Sequence, residues 1–287
     1  MSSSIRLSIA TNTAIFVSKG FGWLVTGSPT LFAESIHSLA DVGNQVLLHI
    51  GEVRSEGEPD REHPFGTGQE RYFWALVSAV SVFFIGCGIN VYHGIDALLH
   101  PTETEPFSAL VLGLLVLALL LESWTFATAL RELGGWRGLR GNLNNTPVLA
   151  VLLEDTVALV GILLTLLVGG VSYFLGPHPA FDAVVAVLVG VLLGVMAAFL
   201  AALNRRLLID TTDQRLDRAA EQWLGERGID AEVRSLVLGG DRYLMFVRAN
   251  GEVEHSLAVG DELKAHLAGT LARSPEAVYW KFKRALG

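Results

Sequence analysis

The chain is poor in several things that would point to other classes of protein. Its 287 residues hold a single cysteine, Cys87, which excludes an intrachain disulfide framework and, sitting in an apolar run, reads as a packing residue. Charge is scarce: 17% of residues are Asp, Glu, Lys or Arg, against 51% hydrophobic. A mean hydropathy of +0.44 completes the composition of an integral membrane protein. With a formal net charge of -8, the chain also lacks the basic face that a nucleic-acid partner requires. The opening "MSSSIRLS" has no cationic region followed by a small-residue cleavage site, so the first apolar run is expected to be a retained span rather than a signal peptide. No transit peptide, internal repeat or low-complexity tract is visible.

What the chain does have is six apolar runs, at about residues 5–26, 31–51, 72–99, 107–131, 147–175 and 179–204. Each reaches the roughly 20 residues needed to cross about 30 Å of hydrocarbon as a helix. The links "TGSPT", "HPTETEP" and "GPHPAF" contain no Lys or Arg. Arg6, Arg54, Arg61, Arg71, Arg131, Arg137, Arg140, Arg205 and Arg206 all fall on the opposite side. This asymmetry predicts a multi-pass protein with both termini cytoplasmic or in the equivalent compartment. Its host is expected to be a bacterial inner membrane or an organellar membrane.

Beyond Leu208 the character changes. Leu216, Ala219, Ala220, Trp223 and Leu224 recur at helical spacing, and "AEVRSLVLGGDRYLMFVRANG" alternates as two strands about a turn. Val259, Leu263, Leu267 and Leu271 predict a second helix, and Val278, Trp280 and Phe282 one face of a last strand. The expected architecture is therefore an α-helical membrane domain of six spans, residues 1–208, followed by a cytoplasmic α+β domain, residues 209–287. The latter has the order helix, strand, strand, helix, strand. At about 80 residues it is marginal alone and expected to lean on a partner.

Polar groups interrupt two of the apolar runs. "ESIHSLADVGNQ" places Glu34, His37, Asp41, Asn44 and Gln45 on one stripe of the second helix, with His37 and Asp41 one turn apart. Charged groups near the bilayer centre cost at least about 2.5–3.5 kcal/mol each and mark ion paths, relays or compensating pairs. An imidazole one turn from a carboxylate is also a donor set for a divalent cation. "VLLEDTVALVG" brings Glu154 and Asp155 into the fifth run. Counted from the helix ends, Asp41 and Asp155 lie roughly 12–14 Å deep, so they meet if the two helices pack. Consecutive Glu154 and Asp155 point about 100° apart, and Asp155 is favoured as the ligand.

These residues carry a resemblance over nearly the whole chain. "TGSPTLFAESIHSLADVGNQ", "DREHPFGTGQERY", "EDTVALVG", "PHPAFDA" and the order of the soluble tail resemble the cation diffusion facilitators, a family of divalent-metal/proton antiporters. The wording of the second and fifth spans, with "YHGIDALLHP" in the third, is similar to the branch that contains a mitochondrial zinc exporter. The resemblance implies a homodimer joined by the soluble tail, divalent metal ions and protons as partners within membrane lipid, and Zn2+ as transported substrate with no prosthetic group. The family's second-span pair, His or Asp followed by Asp four residues later, maps onto His37 and Asp41. Its fifth-span pair maps onto Val151 and Asp155, and Val151 cannot bind metal. Glu154, Glu122 of the fourth span or a water molecule is left to fill that place, unless Glu122 and Glu154 instead pair with a buried group such as Lys19.

The metal set is thus His37, Asp41, Asp155 and Glu154, with Glu34, Asn44, Gln45, Glu122 and Asp182 lining a pathway or supporting it. A single imidazole among carboxylates favours zinc, with manganese, iron and cobalt as alternatives. Asp60 and His63 resemble part of the family's loop metal site, although a further His is replaced there by Thr67. Asn12, Asn90, His93 and Asp96 are expected to line the pathway or bridge helices. His255 and His266 lack the clustered partners of a structural metal site. Two other classes are a membrane metal sensor that does not transport and an intramembrane metalloenzyme. The second lacks a motif such as H-E-x-x-H, and no enzymatic activity is expected.

Overall fold

Long apolar runs with few breakers propagate as helices, and prolines sit where helices begin: Pro29 and Pro179 open two of them, where no backbone donor is needed. The computed structural model describes residues 3–26, 29–100, 109–139, 142–175, 179–209, 211–239, 242–251, 253–271 and 274–282. Long helices occupy the apolar runs: α1 Ser3–Thr26, α2 Pro29–Arg54, α3 Glu70–Leu99, α4 Ala109–Glu132, α5 Thr146–Leu175 and α6 Pro179–Leu208. Among the described residues, four stretches have the length and apolarity of a membrane span: Glu70–Leu99, Leu112–Glu132, Thr146–Val168 and Ala183–Leu208. Within α3, Val82–Cys87 is wound as a π-helix, a local widening that a regular apolar pattern does not announce.

The chain divides into two units, Met1–Val53 with Arg71–Asn204, and Arg54–Glu70 with Arg205–Gly287. In the first, five successive residues of α5, Val148–Leu152, are all buried, so this end of α5 is surrounded on every side. Ile5, Leu48, Ala75, Leu133, Met196 and Leu200 complete its surroundings. The Glu132 carboxylate at the end of α4 accepts from the Ser3 and Ser4 backbone N–H groups at 2.6 and 3.0 Å and from both serine hydroxyls. It therefore caps α1 from another helix, adding negative charge where the orphan N–H groups point.

Helices α3 and α6 touch through small residues. A Cβ at Gly94 would lie 2.6 Å from Val187 Cγ2 and 2.9 Å from the Ala183 carbonyl, and one at Gly190 would lie 3.0 Å from the Val91 nitrogen. Cys87 packs against Gly194, the packing role expected of it. In a membrane, close backbone approach of this kind supplies much of the dispersion energy that holds helices together.

The second unit contains α7 Gln214–Gly225, β1 Ala231–Gly239, β2 Arg242–Ala249, α8 Ser256–Leu271 and β3 Ala277–Phe282. The sheet order is β1-β2-β3, with β1 antiparallel and β3 parallel to β2. A parallel neighbour needs a long crossover, and α8 provides it. Val233, Val237, Tyr243, Met245 and Val247 bury one face of the sheet against Leu216, Trp223 and Leu224 of α7 and Leu263 and Leu267 of α8. Asp213 caps α7, accepting from the Arg215 and Leu216 backbone N–H groups. Asp217, one turn on, accepts from the Ser235 N–H at 2.7 Å and from the Thr212 hydroxyl, tying helix to strand. The 54–70 segment belongs to this unit: Arg242 pairs with Glu276 and donates to the Phe65 carbonyl at 3.4 Å.

Two outcomes test these packing accounts. Gly94→Ala should destabilise by about 1–3 kcal/mol through overpacking and lower the thermal midpoint of the detergent-solubilised chain, whereas Gly113→Ala, where an added Cβ meets nothing within 4 Å, should be neutral. Equal midpoints for the two variants would sink the close-approach account. Asp217→Ala should cost about 1–3 kcal/mol by leaving buried donors unmatched, read as a lower denaturation midpoint for the tryptophan emission of the same chain.

Candidate metal site

Asp155 lies nine residues into α5, roughly 14 Å along the helix at 1.5 Å per residue. It is 2% exposed, and its Oδ2 has no hydrogen-bond partner among the described residues. Glu122 of α4 is buried beside it and shares a side-chain hydrogen bond with it. Asp41 of α2 and Glu154 of α5 also act electrostatically on Asp155. Carboxyl groups on α2, α4 and α5 therefore act on one another within one apolar unit, where each raises the local attraction for a cation.

The neighbouring groups on α2 are directed at Glu154. Asn44 Nδ2 donates to one oxygen of that carboxylate and Gln45 Nε2 to the other. The Ser78 hydroxyl of α3 donates to Asn44 Oδ1 at 2.6 Å. These bonds explain why a helix crossing an apolar unit carries Asn44 and Gln45. Lys19 of α1 donates to the Ser38 hydroxyl at 3.2 Å.

The side chains of Glu34, His37 and Asp182 lie outside the described residues, although α2 and α6 run through these positions. Among the described residues, no group of three or more His, Cys, Asp or Glu side chains is gathered as a metal site. Val151, one turn before Asp155, is 0% exposed and part of the core, so it fills with methyl groups the position where the family pattern has a donor.

Elsewhere the expected residues have local roles. Asp60 Oδ1 accepts from the backbone N–H groups of His63 and Glu62, with the His63 ring 3.4 Å away, and both Asp60 and His63 are exposed. The His63 backbone bond is the main influence holding the Asp60 carboxyl below its usual range. Asn12 donates to Ser8 Oγ at 3.4 Å and Asn90 to the Gly86 carbonyl at 2.7 Å, each within its own helix. Asp96 meets His100 at 3.0 Å in the same way. The described bonds of these three thus run to partners one turn away in the chain, acceptors for the two asparagines and the His100 ring for Asp96. His93 is exposed beside Tyr92, and His266 lies against Trp223.

Sequence reasoning missed a continuation of the α2 stripe. Gln45 and Glu52 are buried, and the inward Nδ1 of His49 has no hydrogen-bond partner among the described residues. The signal was present in the spacing 41, 45, 49, 52, which keeps one helix face polar almost to Arg54.

Comparison with known proteins places the chain in a family. The cation efflux transmembrane domain matches residues 5–209. The mouse mitochondrial proton-coupled zinc antiporter SLC30A9 is 34% identical over 251 residues, covering 82% of this chain and 44% of that protein. Metal tolerance protein C4 of Arabidopsis thaliana is 28% identical over 79% of this chain and 52% of its own length. The cation-efflux pump FieF of Klebsiella pneumoniae is 28% identical over 89% of this chain and 81% of its own. The chain thus spans less than half the length of its mouse relative but most of the bacterial pump. With the match running from α1 through α6, the chain belongs to the cation efflux family, the cation diffusion facilitators.

Proposed function

We propose that the chain is a divalent cation transporter, a zinc exporter that exchanges Zn2+ for protons by alternating access. The observation that carries this reading is the buried Asp155 carboxyl, set in an apolar helical unit beside the buried Glu122, whose Oδ2 is left without a hydrogen-bond partner among the described residues. Six membrane crossings with cytoplasmic termini follow from the six apolar runs and the one-sided arginines. His37, Asp41 and Asp155 are the proposed ligands, with the fourth place, opposite the family's donor at Val151, falling to Glu154, Glu122 or water. A relative named a proton-coupled zinc antiporter supports zinc as cargo, as does the imidazole among the donors. Manganese, iron and cobalt are the alternatives that a metal panel separates.

The exchange follows from ligand chemistry. An imidazolium or a neutral carboxylic acid binds metal poorly, so loading the site expels any protons held there. When the site opens to the more acidic side, protons displace the metal, and they leave again on the cytoplasmic side as the next ion binds. Metal moves out as protons move in. The soluble unit supplies the contact for a homodimer, since a domain of about 80 residues buries too little surface to be robust alone.

In proteoliposomes, Asp41→Ala and Asp155→Ala should each abolish zinc uptake, and His37→Ala should reduce it at least as strongly as any variant outside the site. Zinc uptake retained by Asp41→Ala would overturn the ligand assignment. An acidic lumen should drive zinc in and protons out; flux indifferent to the pH gradient, with membrane potential clamped, would favour a channel or uniporter. Cross-linking in native-like lipid should trap dimers, and deletion after Leu208 should weaken them.

A further inference from the structure

We infer that Glu154 is a positioning residue rather than a metal ligand, and that the linkage Ser78–Asn44–Glu154–Gln45 sets the register of α2 against α5; this rests on the transport reading above. Both oxygens of the Glu154 carboxylate are engaged, one by Asn44 and the other by Gln45. Consecutive residues on a helix diverge by about 100°, so two amides from neighbouring positions bracket the carboxylate from two directions. Such a two-point attachment fixes both the height of α2 along α5 and its rotation about its own axis. Ser78 extends the constraint to α3 by donating to Asn44 Oδ1. Ser78, Asn44 and Gln45 are all buried.

The consequence for the metal site is geometric. Asn44 and Gln45 stand three and four residues after Asp41, one turn along the same face, and Glu154 directly precedes Asp155 in the chain. Fixing Glu154 against Asn44 and Gln45 therefore also constrains how Asp41 and Asp155, each within one turn of that contact on its own helix, stand relative to each other. A ligand set must be held closely to work, and a loss of supporting hydrogen bonds typically costs roughly 10- to 100-fold in metal affinity. Were Glu154 to ligate instead, it would abandon two amide donors in an apolar unit, leaving both unmatched.

A charge swap separates the two roles. The full-length chain in lipid nanodiscs is titrated with Zn2+ against a competing chelator, as wild type, Glu154→Gln, Asn44→Asp and the double variant Asn44→Asp/Glu154→Gln. The double variant exchanges donor and acceptor across the same contact and leaves Gln45 a carbonyl oxygen to bind. Positioning requires each single variant to lose roughly 10- to 100-fold in zinc affinity and the double variant to regain wild-type affinity within about threefold, with Asp41→Ala unrecoverable by either change. A double variant as weak as Glu154→Gln alone overturns the inference and returns Glu154 to the ligand set; single variants that bind normally also overturn it, by showing that the linkage does not hold the site. Zinc uptake into proteoliposomes is measured in parallel. A wild-type chain that binds zinc without moving it ends the transporter reading, while the affinity comparison still decides the role of Glu154.

Discussion

A carboxyl group at 2% exposure within an apolar helical unit must be offset by something, and the arrangement around Asp155 is organised by that requirement. Each charged group at membrane depth costs at least about 2.5–3.5 kcal/mol, so four carboxyl side chains on α2, α4 and α5 cannot be incidental to packing. The helices around them supply partners instead of water: Asn44, Gln45 and Ser78 on one side, the Glu122–Asp155 hydrogen bond on another. Beneath these groups Val148–Leu152 pack without a polar side chain among them, so the polar cluster rests on a rigid apolar floor. Pre-organisation is the result: these groups are held by bonds supplied by the surrounding helices themselves.

Cohesion elsewhere in the membrane unit relies on different physics. Between α3 and α6, Gly94 and Gly190 bring backbones close and let dispersion act at short range. At the arginine-bearing end, Glu132 caps α1 across a helix boundary. The first kind of contact is apolar and close; the second is directional.

Much of this was legible in the residues. Apolar runs long enough to cross a bilayer became α1–α6 because helices satisfy every backbone group internally, and the β1–β2 hairpin followed from alternation about the glycine turn. The 100° divergence of Glu154 and Asp155 already implied different neighbours for the two. Other features depend on partners remote in sequence. The π-helical turn at Val82–Cys87 lies in a run whose composition is uniformly apolar. The placement of residues 54–70 with the C-terminal unit depends on backbone carbonyls such as that of Phe65, which any sequence would present. His49 and Glu52 were overlooked because they sit near the charged end of α2, where polar residues are ordinarily solvated. Asn12 and Asn90 were expected to line the pathway or bridge helices; their described bonds run to an acceptor one turn back on the same helix.

Val151 shows how a family pattern can lose a donor without losing its logic. A valine one turn before Asp155 is fully buried in the core, so restoring a polar side chain there would place it among Val148, Leu149 and Leu152 rather than in an open site. The carboxyl that lies beside Asp155 comes from another helix, Glu122 of α4. A site with a carboxyl in place of that donor would be richer in hard oxygen donors and more negative, which would strengthen attraction for any divalent ion while weakening discrimination by donor softness. In such a site the burden of selecting zinc would pass to any imidazole among the donors, since carboxylates alone would serve manganese as readily. Under the proposed ligand assignment, holding α2 against α5 is therefore more than a structural convenience, because His37 belongs to α2 and its reach to an ion would depend on how that helix is set.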